Sequence, residues 1–536
     1  MRINVHNSAR ALALGFSMMA MAAATGAAAQ GEVRIAMTAG DIPRTTGVPD
    51  SGFEGYRFVG YTMYEGLINW DLSPGAGIGD LAPALATNWE IDPEDDTRWI
   101  FTLREGVTFH DGSAFDADAV IWNLEKSWDE EAPHFDPNQA GVRSRAPLLN
   151  GWEKIDDYTI ALTTSEPDAW LPWQLTFIVM SSPAQWQAVG GWEAFAFDAS
   201  GTGPFRMEEY VPRERLVLVP NEDYWNADRM AQADRIVLLP MPEATTRTAA
   251  LLSGDVHWIE APAPDAMARM ESQGMEIVYG QTPHTWPYQL SFEEGSPWLD
   301  LRVRQAANLA VDRDGIQALL GGLMNPAVGT VPPDHAWYGE PEFEISYDPD
   351  RARALLAEAG YGPDNPVEIT ALISTSGSGQ MQPLAMNEYI QQTMADVGIE
   401  LSFEVLEWEN LFTNWREGVS SPSSAGAHTT NVSFGWMDPF AAFYRFMHSS
   451  QVPPTGFNWG GAGTEDLDAL LDRARSTFDE EEQTALLAEF HGKMVDQALW
   501  VWVAHDVSPR AMSPQVEGFT HAPSWFQDLT PVHLPE

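Results

Sequence analysis

The sequence contains no cysteine and has lysine only at Lys126, Lys154 and Lys493. Without cysteine the chain can form no disulfide framework and offers no cysteine for lipid attachment. Its 29 basic residues are outnumbered by 77 acidic ones, for a formal net charge of -48. Nucleic acid and anionic membrane surfaces are therefore disfavoured as partners, and the acid-rich balance suits a protein kept soluble in salty surroundings.

Long hydrophobic runs are also missing, since no stretch reaches the roughly 20 apolar residues that span a membrane. The nearest approach runs from Ala11 to about Ala24, behind Arg2 and Arg10 and ahead of the small residues 27–29. This is the order of a secretory signal peptide over residues 1–29. The alternative is a retained amphipathic helix, but the segment has no polar face after Arg10.

A signal peptide without a cysteine for lipid attachment indicates export to the periplasm. A protein released from a cell with a single membrane would be lost, so we expect the periplasm of a Gram-negative bacterium. We also expect no insertion of the mature chain into a membrane.

The usual motifs of enzymes and metal sites are absent: H-E-x-x-H, G-x-S-x-G, the phosphate-binding P-loop and a complete EF-hand loop. Residues 92–99 have Thr97 where a calcium loop needs glycine, and "GTGPF" (201–205) breaks a dinucleotide fingerprint at Pro204. The 12 histidines show no ligand spacing. We therefore expect no catalytic residue, no metal site and no cofactor. Two carboxylates brought together by folding could still make a secreted glycoside hydrolase, which is the alternative from another class.

Strand-like and helix-like patterns alternate along the chain, which predicts an α/β protein. The 536 residues exceed the roughly 250 to 300 at which single cores stop growing, so at least two lobes are expected. Predicted strands cover 32–37 and 399–405, and 99–109 is interpreted as a strand pair. Amphipathic helices are predicted after the N-cap residues Asp116, Asp300 and Asp348.

Tryptophan is frequent, with 22 residues against 13 tyrosines. Indole rings can form apolar walls for amides, sugars or cations, or simply fill cores and lobe contacts. Trp286 and Trp408 are taken as candidate ligand contacts. The tryptophans outside predicted inner helix faces are Trp70, Trp286, Trp298, Trp337, Trp408, Trp415, Trp436 and Trp459.

The segment "SFGWMDPFAAFYRF" (433–446) places Asp438 and Pro439 ahead of an aromatic helix. Proline suits the first helical position and aspartate the N-cap before it. The pattern predicts that Asp438 caps this helix, and capping alone is sufficient to explain it.

Several stretches resemble, in chain order, the periplasmic solute-binding proteins of ABC importers, family 5, the peptide/nickel type. They cover nearly the whole mature chain, and the third is the most specific. They are "YEGLINWD" (64–71), "LAPALATNWEI" (81–91), "WIFTLREGVTFHDGSAFDADAV" (99–120), "GTGPFRMEEYVPRERLVLVPNEDYW" (201–225), "LLSGDVHWI" (251–259), "WLDLRVRQAANLAVDRDGI" (298–316) and "YDPDRARALLAEAGY" (347–361).

The resemblance implies a two-lobed periplasmic binding protein that buries a small-molecule ligand between its lobes. Lobe I is expected over 30–283 and 504–536, with an inserted subdomain at 72–198, and lobe II over 284–503. An inner-membrane ABC permease is the implied partner, and a monomer is expected.

Ligand contacts are carried over from the family to two segments. The loop 39–58 is expected to line the cleft from lobe I through Thr45, Thr46, Asp50 and Phe53. On lobe II, Trp436 is expected to stack on the ligand and Asp438 to accept a hydrogen bond from its cationic group.

The ligand class stays open among three possibilities. Peptide-binding relatives carry an acidic residue between the Gly-Trp pair and the later proline to hold the peptide amino group, whereas here Gly435 and Trp436 run directly into Met437, Asp438 and Pro439. A peptide or peptide-like amine is still favoured, because this is the most frequent ligand class of the family that the chain resembles. Oligosaccharides or opine-like conjugates come second, and a nickel chelate third.

Overall fold

Two seven-stranded sheets form the framework of the chain, and a two-stranded and a four-stranded sheet lie outside them. The computed structural model describes residues 31–47, 52–374, 382–424 and 426–535. The strands of this part of the chain are, in order, β1 Glu32–Met37, β2 Ile68–Trp70, β3 Leu81–Pro83, β4 Ala86–Asp92, β5 Asp95–Leu103, β6 Leu149–Asp156, β7 Thr159–Thr164, β8 Phe205–Val211, β9 Arg215–Pro220, β10 Arg235–Pro240, β11 Trp258–Glu260, β12 Glu276–Val278, β13 Gln281–Leu290, β14 Met324–Pro326, β15 Val367–Ser374, β16 Ile399–Leu406, β17 Thr429–Asn431, β18 Phe434–Gly435, β19 Trp500–Val507 and β20 Arg510–Met512.

Helices connect the strands and cover the sheets. The α-helices are Gly52–Gly55, Tyr61–Met63, Ala117–Trp128, Ala140–Arg143, Leu171–Leu175, Pro183–Val189, Trp192–Phe195, Ala244–Ser253, Pro264–Ser272, Leu301–Ala310, Arg313–Leu319, Pro349–Glu358, Pro383–Ala395, Trp408–Glu417, Arg445–Met447, Glu465–Arg475 and Glu480–Asp496. Short 3-10 helices cover Pro137–Gln139, Ala227–Arg229, Pro297–Leu299, Pro422–Ser424 and Ser449–Gln451, and π-helices cover Tyr56–Gly60 and Phe440–Tyr444.

The first seven-stranded sheet has the order β12-β20-β11-β1-β10-β9-β8. β1 lies between two parallel neighbours, β10 and β11, which is the arrangement of strands joined by crossover segments. β20 comes from the far end of the chain and pairs antiparallel with β11 and β12. The first lobe is therefore built from both ends of the described chain.

The second seven-stranded sheet runs β14-β19-β13-β17-β15-β16, with β18 also paired to β13. β15 is parallel to both β16 and β17, while β13 and β19 are antiparallel to each other. β13 follows directly after β12, a strand of the first sheet, and β19 directly precedes β20, another strand of the first sheet. These two paired strands carry the chain from one lobe to the other and back.

Between β3 and β8 the chain forms a separate four-stranded antiparallel sheet, β4-β5-β7-β6. Its apolar face packs on the helix Ala117–Trp128 through the buried residues Phe101, Ile160, Val120 and Leu124. We call this unit the inserted subdomain. The two-lobed α/β fold expected from the sequence is thus confirmed.

The three helix starts predicted after aspartate caps are confirmed by hydrogen bonds. Asp116 accepts from the backbone N–H of Ala119, Asp300 from that of Arg302 and Asp348 from that of Arg351. β1 and β16 coincide with the predicted strands to within one residue.

The strand pair predicted over 99–109 is wrong. β5 alone occupies Asp95–Leu103, and its neighbours are β4 and β7 rather than the residues that follow it. The residues beyond Leu103 form turns and only an isolated bridge between Thr108 and Ala114.

Candidate functional site

The inserted subdomain reaches across the first lobe and contacts the second lobe. The Arg475 guanidinium donates to the Glu166 carboxylate at 2.6 Å, and the Ala169 backbone N–H donates to the Arg475 carbonyl at 2.8 Å. The rings of Trp170 and Tyr444 meet edge to face at 5.8 Å. These contacts close one side of the region where the lobes face each other.

The loop between β2 and β3 closes a second side. Gly79 adopts a left-handed conformation with a φ of 79°, and a Cβ at this position would collide with the Met437 carbonyl oxygen. The Gly79 carbonyl in turn accepts a hydrogen bond from the Trp173 indole N–H at 2.9 Å. Only a glycine lets this loop approach the second lobe so closely.

An aromatic cluster is buried where the first lobe meets the second. Phe526 stacks on Trp70 at a centroid distance of 6.3 Å and contacts Tyr61 at 4.9 Å, while Phe177 meets Tyr56 edge to face at 5.5 Å. These rings come from the first lobe and the inserted subdomain. The cluster, which includes one side chain from the second lobe, consists of Tyr61, Trp70, Phe177, Met437 and Phe526, with Tyr56, Leu72, Leu81 and Trp173 packed against it.

One π-helix of the described chain packs against this cluster through Tyr56, and the other begins three residues after Met437. Tyr56 begins the first, and the second, Phe440–Tyr444, follows Asp438 and Pro439. An extra residue in a helical turn is frequent at functional sites because it redirects side chains. Tyr56 is the first residue of one π-helix, and Arg445 directly follows the other.

Asp438 is 2 % exposed, and one of its carboxylate oxygens accepts the backbone N–H of Ala441 at 2.8 Å. The predicted capping contact is therefore present. Burial raises the pKa of Asp438, although the nearby guanidinium groups of Arg145 and Arg445 act in the opposite direction. The carboxylate thus serves as a cap and also lies in the field of two cations.

The pKa values of two further groups, Tyr56 and Arg145, are shifted by burial. Tyr56 and Arg145 each keep part of their surface accessible. Burial nevertheless raises the pKa of Tyr56 to about 12 and lowers the pKa of Arg145. Burial disfavours the charged form of each group, so both side chains lie largely away from bulk water.

Asp168 belongs to the same charged region and is fully buried. It accepts from the backbone N–H of Trp170 at 3.0 Å and from the Gln174 amide at 3.1 Å. Burial raises its pKa from 3.8 to about 6, with Arg475 lowering it and Asp438 raising it further.

A cavity of about 230 Å³ opens at the lobe boundary. His335 on its wall meets the ring of Trp436 edge to face at 5.3 Å, and Trp436 itself is fully buried. Trp436 therefore supports the cavity wall from behind. The lining residues are Ile78, Gln281, Pro332, Asp334 and His335.

The other predicted contacts are placed as follows. The Thr45 hydroxyl donates to the Ala196 carbonyl at 2.7 Å, and the Thr46 carbonyl accepts from the Ser181 hydroxyl at 3.4 Å. Both threonines are buried against the inserted subdomain. Asp50 lies outside the described residues, as does the side chain of Phe53, so their roles stay predictions.

Trp286 and Trp408 are not brought together. Trp286 is 2 % exposed in the second lobe, where its ring meets that of Tyr288 edge to face at 6.0 Å. Trp408 is partly buried and stacks on Phe412 at 5.9 Å.

Sequence reasoning missed Arg145 and Arg445, together with Tyr56, Phe177 and Phe526. One signal was available for Arg445, because a lone arginine inside "AAFYRFM" is unusual in a chain this poor in basic residues. Nothing around Arg145 distinguishes it from a surface residue.

Within the described ranges, no helix is long and apolar enough to cross a bilayer. The same residues contain no group of three or more histidine, cysteine or acidic side chains arranged to hold a metal ion.

The family model described as "Bacterial extracellular solute-binding proteins, family 5 Middle" matches residues 80–454. This match covers well over half of the chain and includes the inserted subdomain and most of the second lobe.

Named relatives extend the likeness beyond that segment. Heme-binding protein A of Haemophilus influenzae is 29% identical over 470 residues, covering 83% of each chain. The Dipeptide-binding protein of Escherichia coli is 26% identical over 549 residues, covering 98% of each. Among solved structures, the dipeptide binding protein from Pseudoalteromonas sp. SM9913 in complex with Met-Leu aligns with a TM-score of 0.78 at 20% identity, over 94% of this chain and 100% of the other.

Proposed function

Because the chain belongs to the bacterial extracellular solute-binding proteins of family 5, we propose that it captures a short peptide or peptide-like amine and delivers it to an ABC permease of the inner membrane. In this proposal it binds its solute between the two lobes without altering it. Differential affinity for the closed arrangement then drives closure.

The observation that carries the proposal is the composition of the interlobe region. Aromatic side chains of the first lobe and the inserted subdomain pack with Met437 of the second lobe, and the guanidinium of Arg145 lies 4.3 Å from the Phe177 ring. Asp438 directly follows Met437; burial raises its pKa, and the positive charges of Arg145 and Arg445 act in the opposite direction. A short peptide offers the complementary groups, namely apolar side chains, an ammonium and a carboxylate. Ligand pockets are mostly apolar with a few placed polar groups and favour domain interfaces.

Assigned roles follow from this arrangement. Asp438 is proposed to receive the ligand's cationic group, and Trp436 to hold the wall that the ligand contacts. Thr45, Thr46, Asp50 and Phe53 stay proposed contacts of the first lobe. Trp286 and Trp408 are the least supported of the proposed ligand contacts. Trp286 lies in the core of the second lobe and Trp408 packs against that core, and neither belongs to the aromatic cluster.

The absence of catalysis is proposed on the names of the relatives, each of which describes binding. The periplasmic location is proposed on the signal peptide pattern, and a monomer on the family resemblance.

The proposed lobe boundaries lie within a few residues of the points where the chain passes from one sheet to the other. Strands of the first sheet fall within 32–278 and 510–512, and those of the second within 281–507. The crossing points proposed at 283/284 and 503/504 therefore lie inside β13 and β19, the paired strands that connect the lobes.

A thermal-shift screen tests the function. The mature chain is mixed with dipeptides and tripeptides, with oligosaccharides and opine-like conjugates, and with nickel-histidine. At about 100 times Kd a ligand stabilises the folded chain by about 2.7 kcal/mol. We expect stabilisation in the peptide set. Stabilisation only in another set would assign another ligand class, and multiple turnover of any compound would refute the receptor function.

A further inference from the structure

One tryptophan of the inserted subdomain reaches into the second lobe. Trp170 directly precedes the helix Leu171–Leu175, is fully buried and belongs to the apolar cluster that forms the core of the second lobe. Its ring meets the ring of Tyr444 edge to face at 5.8 Å. Aromatic side chains are large apolar groups, and pairs of this geometry stabilise a contact beyond the area they bury. Opening the lobes would therefore separate the two rings and expose part of the indole to water.

A second contact lies at the end of the helix Glu465–Arg475 in the second lobe. The last carbonyl groups of a helix have no partner within the helix itself. The Ala474 carbonyl accepts from the Gln483 side-chain amide at 3.1 Å, which keeps this bond inside the second lobe. The Arg475 carbonyl instead accepts from the backbone N–H of Ala169 at 2.8 Å. The inserted subdomain thus helps to cap a helix of the other lobe.

The guanidinium of Arg475 adds an ion pair at the same place. Its Nη2 donates to Glu166 of the inserted subdomain at 2.6 Å and also to Asp472, one helical turn earlier, at 3.3 Å. Its central carbon lies 5.4 Å from the ring centroid of Tyr444. Since Asp472 and Tyr444 both belong to the second lobe, they orient the guanidinium before it meets the inserted subdomain.

The loop opposite Arg475 is fixed in a similar way within the inserted subdomain. The Thr164 hydroxyl donates to the Glu166 carbonyl at 2.7 Å, and the Trp99 indole N–H donates to the Asp168 carbonyl at 3.0 Å. Since each half of the contact is held by bonds within its own part of the molecule, little conformational freedom is lost when the two halves meet. The contact is therefore preorganised on both sides.

We infer that these contacts form a latch, which stabilises the closed lobes whether or not a solute is bound. Its residues are Glu166, Ala169 and Trp170 on the inserted subdomain, and Tyr444 and Arg475 on the second lobe. None of them belongs to the aromatic cluster, and each bond across the latch joins two groups of the chain itself. Because the latch acts on closure and not on the solute, weakening it lowers the affinity for every solute by the same factor. This consequence rests on the proposed function, whereas the formation of the latch does not.

Hydrogen exchange in the solute-free chain, resolved to single amides, tests whether the latch forms. The Ala169 amide donates to the second lobe, whereas the neighbouring Trp170 amide donates to Asp168 within the inserted subdomain and serves as the internal reference. We expect the Ala169 amide to exchange at least tenfold more slowly than in an unfolded chain. Exchange of Ala169 at the unfolded rate, with Trp170 still protected, would overturn the inference.

Two matched variants show whether this protection comes from the latch. Glu166→Gln weakens the pair with Arg475, and the Glu166 side chain is 60 % exposed. Glu153→Gln is the control, because Glu153 is 67 % exposed and pairs with Arg98 inside the inserted subdomain. Glu166→Gln should speed exchange of the Ala169 amide about two- to fivefold and leave the Trp170 amide unchanged, while Glu153→Gln should change neither. Equal Ala169 rates in Glu166→Gln and the wild type would contradict the latch.

Stopped-flow kinetics with Met-Leu and with tri-alanine test the consequence for solutes. Glu166→Gln should raise the dissociation rate of both peptides by the same factor, about two- to fivefold, and leave their association rates unchanged. An effect on one peptide alone would show a direct contact with solute and would refute the latch. If neither peptide binds, peptide capture fails, and the exchange of the Ala169 amide still decides whether the latch exists.

Discussion

At the scale of single residues, Asp438 combines a structural and an electrostatic role. The Asp-Pro order was sufficient to predict the cap, and the Ala441 hydrogen bond confirms it. The sequence could not show Arg145 beside it, because that side chain is separated from Asp438 by nearly 300 positions and reaches it only through folding.

Replacing Asp438 by asparagine separates the two roles. Asparagine is also a good N-cap, and its neutral side chain avoids the desolvation that raises the pKa of the carboxyl. We therefore expect the ligand-free melting temperature to change by less than about 2 °C. Affinity for Met-Leu should fall at least tenfold, since charge-assisted hydrogen bonds contribute roughly 1.5 to 3 kcal/mol.

N-acetyl-Met-Leu provides the control, because it has no ammonium group for Asp438 to receive. Its affinity should be the same for wild type and Asp438→Asn. Unchanged affinity of the variant for Met-Leu itself would leave Asp438 as a cap only.

Asp168 makes the stability of the protein depend on pH. Its pKa is about 6 in the folded chain and near 3.8 when exposed, so between these values the folded chain binds a proton that the unfolded chain has released. Stability from this group is complete below pH 4 and is lost as the pH rises through 6. Asparagine stays neutral throughout and can keep the bond from the Trp170 N–H.

We expect Asp168→Asn to increase the free energy of unfolding at pH 7.5 by about 1 to 3 kcal/mol, and to leave it nearly unchanged at pH 4. The Gln174 amide can rotate to accommodate the change, because its oxygen is otherwise without a partner. Urea titrations at the two pH values measure the difference. An equal effect at both would contradict the assigned titration.

At the scale of elements, regular segments with clear end signals could be predicted, and irregular ones could not. The helices after Asp116, Asp300 and Asp348 begin where the capping residues indicate. In contrast, the helix after Asp300 ends at Ala310, and a second one starts at Arg313 behind its own cap, Asp312. Apolar periodicity runs through both and cannot show this break.

The loop that contains Gly75 and Gly79 offers a test of lobe closure. Both glycines have left-handed backbones, with φ angles of 92° and 79°, but a Cβ at Gly75 would meet nothing within 4 Å. Alanine at either position introduces similar backbone strain, of order 1 kcal/mol. Only alanine at Gly79 would collide with the second lobe.

We expect Gly79→Ala to lower ligand affinity at least tenfold and Gly75→Ala to leave it within about twofold, while both reduce thermal stability slightly. Calorimetric titration with Met-Leu and melting curves of the ligand-free variants provide the two readings. Equal affinities in the two variants would show that this loop does not approach the second lobe in the liganded state.

At the scale of the whole molecule, the assembly of the site is what the sequence could least show. Tyr56, Arg145, Phe177, Met437 and Phe526 come from separate parts of the chain and are brought together only by folding. The two-lobed plan itself was predicted, through resemblance and through length. Most of the tryptophans outside the predicted inner helix faces are buried in the packed interior of the lobes, as Trp298 and Trp459 show, which matches the filling of cores rather than the lining of a ligand wall.

The central claim is that the chain captures an unaltered small solute between its lobes. The most direct test incubates the purified mature chain with a defined mixture of dipeptides and tripeptides, removes free solute by gel filtration, denatures the protein and identifies the released compounds by mass spectrometry. We predict close to one intact peptide per chain. Release of cleaved products, or of no solute at all, would contradict the account.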